Sequence, residues 1–384
     1  MSARLVFYWN NGRSLGHTSR SATIAQAALE RVPDAQIFGL TGASRGLELL
    51  PPGMAVVKIP SFFSYDLPGG VISQPSAAIG EPELRRLRTS LINVFIDSFN
   101  PDALIVDYYP YGRKRELERV LDSSAAFKIL GLRGVLGARA KTNAEFFSTD
   151  VVRHIDRTYE KVLIYTDSDL IDLEMLYEIP PVLRRKLHYT GYVARRTPLT
   201  RDEARRRIGC DDRLLIVAAF GGAQGALPLY LSLFDAVRRV VPNDATVVVP
   251  LGPYLKQEEV DCIYRSAFSD ARIRVAPLLH DLPMWMRASD LFIGAAGYNT
   301  IAEVLANRPN AILVPRQINR SEQTTHALVM AAKSLARCLP LDAFTSGSLA
   351  QMIVVALAEP YPTHTKTWRV DGAAEASAII EAAL

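Results

Sequence analysis

A histidine stands near the start of the chain where a polar turn gives way to a helical pattern. His17 follows the glycine-containing turn of residues 10–16, which itself follows an apolar run. At a helix N-terminus, backbone N–H groups and the helix dipole keep an imidazole neutral and able to accept a proton. His17 is therefore a candidate general base. The alternative is a histidine that caps or lines the turn.

An aspartate at the end of a later apolar run offers His17 a partner. Asp107 closes the run 103–107 and is followed by an aromatic loop at 108–112. In a doubly wound sheet of order 3-2-1-4-5 the first and fourth strands are neighbours, and ligands bind beyond their carboxyl ends. A carboxylate beside an imidazole fixes its tautomer and stabilises the imidazolium. We predict that the pair activates a hydroxyl or a water; alternatively, Asp107 binds the loop backbone.

A glycine-rich turn opens the second half of the chain. The apolar run 214–220 leads into Gly221, Gly222, Gln224 and Gly225, and a helical pattern follows. Glycines let the backbone approach a ligand closely, and the N-terminus of the next helix favours a phosphate. The turn lacks the Lys-Ser/Thr of a P-loop and the spacing of GxGxxG, so neither an ATPase nor a nicotinamide enzyme is indicated.

A second glycine-containing turn follows the apolar run 291–294. It contains Gly297, and Asn299 or Thr300 is predicted to cap the helix that follows. Glu303 lies one turn along that helix, where it either reaches a diol of the ligand or makes a capping interaction.

The next apolar run, 312–315, also leads to polar residues, which include Glu322 and Gln323. Polar clusters thus follow several predicted strands of one domain. They predict an extended anionic ligand there.

No metal or redox site is predicted, and no cofactor is expected. Asp167 and Asp169 form an Asp-x-Asp tripeptide, which is very common, and the three cysteines stand far apart. The nearby acidic residues are typical of a solvated helix.

Composition and charge predict a cytoplasmic globular protein. The chain is 49% hydrophobic and 22% charged, has no apolar run long enough to span a membrane, and begins without the pattern of a signal peptide. Its formal charge of +4 over 384 residues is too small to indicate a nucleic-acid partner. An aromatic loop at 61–65 and basic clusters at 85–88 and 113–115 leave peripheral contact with a membrane open.

These candidate sites require strands whose carboxyl ends meet at one edge of a sheet. Apolar runs alternate with helical patterns, which predicts the α/β class with parallel sheets. The first half is predicted to form strands at 5–9, 36–40, 56–59, 103–107, 127–131 and 163–165, with helices at 17–31, 44–50 and 82–97. The second half is predicted to form strands at 214–220, 246–250, 273–276, 291–294 and 312–315. The boundary between the halves is expected between 191 and 213, and the final helix at 373–384.

Two such domains in tandem resemble the GT-B glycosyltransferases, most closely the branch that includes the lipid II-forming N-acetylglucosaminyltransferase. The resemblance rests on four motifs in the family's order: Gly16-His17, the Gly221 turn, the segment 297–305 with Glu303, and Glu322-Gln323. The stretches 101–107, 165–170 and 189–193 look still more like a set of bacterial proteins known mainly as predicted glycosyltransferases.

The resemblance implies an architecture and a division of labour. Two Rossmann-like domains would face a central cleft, with an acceptor-binding domain at 1–195 and a nucleotide-sugar-binding domain at 196–365. A helix at 366–384 would pack back across the domains.

The resemblance also implies roles for individual residues. The Gly221 turn and the helix starting near Asn299 would hold the donor diphosphate. Glu303 would bind the ribose hydroxyls, and Gln323 with Glu322 the transferred sugar. The residues around Leu279 would face the base. The lipid II enzyme has two glutamines where this chain has Glu322-Gln323, so the donor sugar and the acceptor are left open.

The leading functional hypothesis is an inverting, metal-independent glycosyltransferase. It would move a sugar from a nucleoside diphosphate sugar to a hydroxyl or amine of a small-molecule or lipid-linked acceptor, in natural-product or cell-envelope glycoside synthesis, with His17 as base. Two alternatives stay open. One is a nucleotide-sugar hydrolase, in which His17 would activate water, and the other is a non-catalytic protein that binds sugar nucleotides.

Overall fold

The computed structural model of the chain describes residues 2–10, 15–62, 79–210, 212–221, 225–279, 281–316, 320–360 and 366–384, with the side chain of residue 320 excepted. The predictions for Gly222, Gln224, most of the turn before His17, residues 63–65 and the residue after Leu279 lie outside this part. The described residues up to Ala194, together with Trp368–Leu384, form one compact unit, and those of Arg195–Thr367 form another.

The N-terminal unit is built on a parallel sheet of seven strands in the order β3-β2-β1-β4-β5-β6-β7. The strands are β1 (Arg4–Trp9), β2 (Gln36–Thr41), β3 (Met54–Lys58), β4 (Ala103–Asp107), β5 (Phe127–Arg133), β6 (Lys161–Tyr165) and β7 (Leu187–Tyr189). The predicted order 3-2-1-4-5 is confirmed and extended. Every residue of β4 is buried, as expected of a parallel strand covered on both faces.

Helices connect these strands in the N-terminal unit. They are α1 (Gly16–Arg31), α2 (Glu81–Phe99), α3 (Glu118–Ser123), α4 (Arg139–Phe146), α5 (Thr149–Thr158), α6 (Leu173–Leu176) and α7 (Pro181–Arg184). The predicted helix at 44–50 is wrong: only Leu47–Leu49 form a single 3₁₀ turn, because Gly46 before it takes a left-handed conformation with φ of 81°.

The C-terminal unit contains a parallel sheet of six strands in the order β10-β9-β8-β11-β12-β13. The strands are β8 (Leu215–Ala219), β9 (Thr246–Pro250), β10 (Ile273–Ala276), β11 (Leu291–Ala295), β12 (Ala311–Val314) and β13 (Arg337–Cys338). The helices are α8 (Arg201–Arg207), α9 (Leu227–Val240), α10 (Gln257–Phe268), α11 (Leu282–Ala288), α12 (Tyr298–Asn307), α13 (Arg320–Ala332) and α14 (Ser346–Ala358). Two parallel sheets with alternating helices confirm the predicted α/β class of two Rossmann-like domains.

The last helix, α15 (Gly372–Glu381), belongs to the N-terminal unit. It packs against α1, where Arg31 donates to Ser377 at 3.0 Å and pairs with Glu381 at 3.1 Å. A Cβ at Gly372 would lie 2.3 Å from the carbonyl oxygen of Gly191, so only glycine fits this close approach. The chain therefore returns to the first unit after completing the second.

Candidate active site

His17 lies in the first turn of α1, just beyond the carboxyl end of β1. The prediction that it stands at a helix N-terminus is confirmed. The N-cap residue is Leu15, and its side chain makes no capping hydrogen bond. His17 therefore does not occupy the N-cap position. The alternative that it lines the turn concerns residues 11–14, which lie outside the described residues.

The side chain of His17 meets Asp107 at the ends of two neighbouring strands. Strands β1 and β4 pair directly, and the His17 Nδ1 atom lies 2.7 Å from Asp107 Oδ2. The imidazole is 19% exposed and the carboxylate 5%. The predicted contact is confirmed, and the Asp107 side chain binds side chains of α1 rather than the loop backbone.

A third residue, Arg20, completes a buried triad with His17 and Asp107. Its Nη2 atom lies 2.6 Å from Asp107 Oδ1, 2.7 Å from Asp107 Oδ2 and 3.1 Å from His17 Nδ1. Only 2% of the Arg20 side chain is exposed. The guanidinium thus binds both carboxylate oxygens in the manner that arginine geometry favours.

These contacts set the protonation states of the triad. Burial alone would raise the pKa of the Asp107 carboxyl, but the charges of Arg20 and His17 lower that pKa to about 2. Burial lowers the pKa of the His17 imidazole, and the charges of Arg20 and Arg133 act in the same direction against the attraction of Asp107. At neutral pH the triad therefore holds an ionised carboxylate beside a neutral imidazole.

The geometry also selects the tautomer of His17. An ionised Asp107 can only accept, so His17 Nδ1 carries the proton and donates it to Asp107 Oδ2. The lone pair is then on Nε2. A neutral imidazole held in this way can take a proton from a hydroxyl or a water, and the carboxylate stabilises the imidazolium that forms.

Tyr108 packs its ring beside the imidazole from a strained backbone position. Its φ is 80°, a left-handed conformation that is uncommon for a bulky residue. The ring meets the edge of His17 with centroids 5.7 Å apart, and the guanidinium of Arg133 lies 4.9 Å from its centre. The hydroxyl donates to the carbonyl of Leu136 at 3.1 Å. The aromatic loop after β4 thus forms one wall around His17.

Sequence reasoning does not single out Arg20 or Arg133. The available signal for Arg20 is its spacing from His17, since residues three apart share one face of a helix. Arg133 ends β5, which pairs with β4. A search for polar residues at every strand end of the predicted sheet would have found it.

In the C-terminal unit the Gly221 turn follows β8 directly. Gly221 and Gly225 both have φ of 81°, a conformation that favours glycine, and nothing lies within 4 Å of a Cβ built at Gly221. Both residues are exposed. Gly221 therefore presents its backbone openly at the carboxyl end of β8.

Gly297 begins the second predicted site. It occupies the N-cap position of α12 with φ of −72°, so the prediction that Asn299 or Thr300 caps this helix is wrong. The first helical bond runs from the Ile301 N–H to the Gly297 carbonyl at 3.0 Å. Asn299 and Thr300 are half-buried in the first turn of α12.

Gln323 and Arg316 connect this helix start to the Gly221 turn. The Arg316 N–H donates to Gln323 Oε1 at 2.9 Å, and Gln323 Nε2 lies 3.9 Å from the place of a Cβ on Gly297. The Arg316 guanidinium donates to the carbonyl of Phe220, the residue before Gly221, at 3.3 Å. Burial lowers the pKa of this guanidinium. Arg316 thus contacts both Gln323, which lies near Gly297, and Phe220, which precedes Gly221.

Glu303 is buried and forms an ion pair that the sequence does not predict. Its Oε1 atom lies 2.8 Å from Arg195 Nε and 2.6 Å from Arg195 Nη2. Asn307, one turn further along α12, donates to the carbonyl of Arg195 at 3.1 Å. The predicted capping role of Glu303 is therefore wrong, and Arg195 joins the residues at this end of the unit.

The remaining predicted residues lie around these groups or apart from them. Glu322 is buried, with 4% exposed, in the first turn of α13. Leu279 is half-buried between β10 and α11. Asp167 Oδ1 accepts the Asp169 N–H at 3.0 Å, and Asp167 Oδ2 accepts the Arg369 N–H at 2.9 Å, so this carboxylate fastens the chain before α15.

Metal-binding clusters and membrane-spanning helices are both absent from the part of the chain that the structure describes. The described part of the chain contains no cluster of three or more His, Cys, Asp and Glu side chains suited to hold a metal ion. Within the same residues, no helix has the length and apolar character required to traverse a bilayer.

Known proteins match both the sequence and the fold. Residues 216–379 match the glycosyltransferase family 28 C-terminal domain. A UDP-N-acetylglucosamine--N-acetylmuramyl-(pentapeptide) pyrophosphoryl-undecaprenol N-acetylglucosamine transferase from Carboxydothermus hydrogenoformans is 27% identical over 340 residues, covering 85% of this chain and 82% of that protein. The enzyme of the same name from Mycobacterium tuberculosis is 30% identical over 160 residues, covering 42% of this chain and 38% of that protein.

The solved structures agree in fold. The crystal structure of Acinetobacter baumannii MurG superposes with a TM-score of 0.60 at 16% identity and covers 99% of each chain. Together with the sequence relatives and the two parallel sheets, these findings show that the chain is a glycosyltransferase of GT-B architecture that resembles the lipid II-forming N-acetylglucosaminyltransferases.

Proposed function

We propose that this enzyme transfers N-acetylglucosamine from its uridine diphosphate donor to a hydroxyl of a lipid-linked acceptor, with inversion and without a metal ion. The names of its sequence relatives support the choice of donor and acceptor. Cytoplasmic location and peripheral membrane contact belong to the same proposal, because a lipid-linked acceptor is presented at a membrane surface.

The observation that carries the proposed chemistry is the 2.7 Å contact between His17 Nδ1 and Asp107, which leaves the lone pair of a neutral imidazole on Nε2. His17 Nε2 removes the proton of the acceptor hydroxyl. The acceptor oxygen forms a bond to the anomeric carbon as the bond from that carbon to the diphosphate oxygen breaks. The diphosphate leaves with the electron pair, and this direct displacement inverts the anomeric centre.

Each unit has its own part in this proposal. The N-terminal unit, residues 1–195 with the returning helix, binds the acceptor and supplies the base. The C-terminal unit, residues 196–365, binds the donor. There the backbone of the Gly221 turn and the N–H groups at the start of α12 hold the diphosphate, as anions favour helix N-termini.

The proposal includes further donor contacts in the C-terminal unit. Gln323, whose amide lies beside Gly297, contacts the transferred sugar together with Glu322. Glu303, held by Arg195, reaches the ribose. Leu279 faces the base. Arg316, buried against the end of β8, adds a positive charge behind the turn.

Release of UDP from UDP-N-acetylglucosamine tests the proposal when it is followed with and without N-acetylmuramyl-pentapeptide pyrophosphoryl-undecaprenol. We expect release to be slow in the absence of acceptor and to rise with acceptor concentration. Rapid release without acceptor would instead identify a hydrolase in which His17 activates water. Donor binding with no turnover under either condition would identify a protein that only binds sugar nucleotides.

A further inference from the structure

A cavity lies at the amino edge of the sheet in the C-terminal unit, away from the groups described above. It has a volume of about 700 Å³. Leu214, Asp290 and Asn310 line it, and each immediately precedes a strand of the sheet, namely β8, β11 and β12. The Gly221 turn and Gly297 follow the opposite ends of β8 and β11. The cavity is therefore separate from the proposed donor site.

Among the described residues that line this cavity, Asp290 is the one carboxylate, and arginines already neutralise its charge. Asp290 forms ion pairs with Arg201 and with Arg205, the latter at 3.2 Å. Its Oδ2 atom also accepts the N–H of Leu215 at 2.7 Å. The negative charge of Asp290 is therefore balanced by Arg201 and Arg205 and does not neutralise the other cations of the cavity.

Two further arginines line the cavity without a carboxylate. Among the residues that the structure describes, no acidic side chain forms an ion pair with Arg287 or Arg308, and the buried Arg287 Nε has no hydrogen-bond acceptor. Burial lowers the pKa of the Arg287 guanidinium, and the charge of Arg308 lowers it further. Two positive charges that act on each other in a partly buried place favour the binding of an anion between them.

Apolar side chains line another part of the cavity. Val240 and Pro242 line it at the end of α9, and Val354 and Leu357 line it from α14. Val354 is 49% exposed despite its apolar side chain. A ligand that fits this cavity would carry a negative head at the arginines and an apolar body against these residues.

We propose that this cavity binds a small amphipathic phosphomonoester, with its phosphate on Arg287 and Arg308 and its apolar body on the wall of α9 and α14. A phosphomonoester carries close to two negative charges at pH 7, which matches two guanidinium groups better than a carboxylate does. Arginine donors also suit the several acceptor oxygens of a phosphate. Such binding would act apart from the donor and acceptor sites, and it does not depend on the proposed function.

Thermal unfolding of the full chain with hexyl phosphate, inorganic phosphate or 1-hexanol tests the proposal. A ligand that binds only the folded state raises the melting temperature in a saturable way. We expect hexyl phosphate to do so with an affinity at least about tenfold higher than that of inorganic phosphate, because only the ester buries an apolar body. We expect 1-hexanol to have no saturable effect.

Two substitutions remove the proposed phosphate ligands without disturbing the fold. Arg308 has φ of 51°, so Arg308→Gly places a residue suited to that left-handed conformation. Arg287→Met keeps an unbranched side chain of similar length and removes a half-buried cation. Each variant should weaken hexyl phosphate binding at least about tenfold, the expected result of losing a charged hydrogen-bond donor. Arg265→Met, at an exposed arginine of α10, should leave it unchanged.

Three results would each overturn the proposal. One is the lack of a saturable shift with hexyl phosphate in the unaltered protein. Another is a shift of the melting temperature by hexyl phosphate that is as large in Arg287→Met and Arg308→Gly as in the unaltered protein. That result would place the ligand elsewhere, for example in the donor site. The third is an equal affinity for hexyl phosphate and inorganic phosphate, which would show that the apolar residues do not contribute to binding.

Discussion

The carboxyl edges of the two sheets differ in chemistry although the sheets share a topology. In the N-terminal unit the ends of β1 and β4 carry a buried, charged triad of His17, Arg20 and Asp107. In the C-terminal unit the ends of β8 and β11 carry exposed backbone at Gly221 and a helix start at Gly297. In the proposed function, one edge accepts a proton and the other binds an anion.

This difference shows how far the fold determines the activity. A doubly wound sheet provides a binding edge in both units, but the side chains at that edge decide its chemistry. We propose that the triad supplies the base and that the residues around Gly297 bind the donor. Substitutions in the triad should therefore reduce turnover, whereas substitutions around Gly297 should reduce donor affinity.

Replacement of the base should have the largest effect. His17→Ala should lower turnover by roughly 100- to 10,000-fold, the usual contribution of general acid–base catalysis, and leave donor affinity nearly unchanged. Steady-state kinetics and calorimetry with UDP measure the two quantities. His188→Gln is a matched control, because His188 also pairs with a carboxylate, Glu375, at 3.1 Å. The His188→Gln enzyme should turn over normally. A His17→Ala enzyme that is impaired only in donor binding would contradict the role of His17 as the base.

Loss of the carboxylate charge should have a smaller effect. Asp107→Asn removes the negative charge from the acceptor of a charge-assisted hydrogen bond, which typically contributes about 1.5–3 kcal/mol, so turnover should fall roughly 10- to 150-fold. Asp122→Asn, at an exposed aspartate paired with Arg157, should change little. A change confined to the KM for donor would argue that Asp107 does not act through His17.

Substitution at the other edge should act on binding. Gln323→Ala removes an amide beside Gly297 and should weaken donor affinity by about 2- to 10-fold, the range of one neutral hydrogen bond, with little change in turnover. Gln257→Ala removes an exposed glutamine of the same unit that bonds to Asp261, and affinity should be unaffected. If both variants bind the donor with equal affinity, Gln323 does not contact the donor.

Chelation should have the smallest effect. The oxygens of Asp167 accept N–H groups of Asp169 and Arg369, and we predict that this carboxylate binds no metal ion. Turnover should therefore be unchanged by excess EDTA. A loss of turnover that added magnesium or manganese restores would show that a metal participates.

Most strands could be predicted because parallel strands covered on both faces are continuous apolar runs. β4 and β9 are buried throughout and were located at their observed bounds. β7 and β13 could not be found in this way, because their residues are half-buried and β13 has only two.

The site was predictable only where topology fixes the contact. Because β1 and β4 are adjacent in the sheet, Asp107 is expected beside His17, and the structure confirms that contact. The pair of Arg195 and Glu303 joins residues 108 positions apart, and nothing in the local pattern of either residue points to the other. The catalytic and donor-binding roles themselves stay predictions.

The pH dependence of kcat/KM tests most directly whether His17 is the base. Burial and the charges of Arg20 and Arg133 lower the pKa of His17, and a base must be neutral to act, so activity should rise with pH and be half-maximal below about pH 6.5, the ordinary value for histidine. Asp107, with a pKa of about 2, stays ionised across this range. In His17→Ala, the residual kcat/KM should no longer fall at acidic pH. The same fall in that variant would assign the titration to another group and contradict the role of His17 as the base.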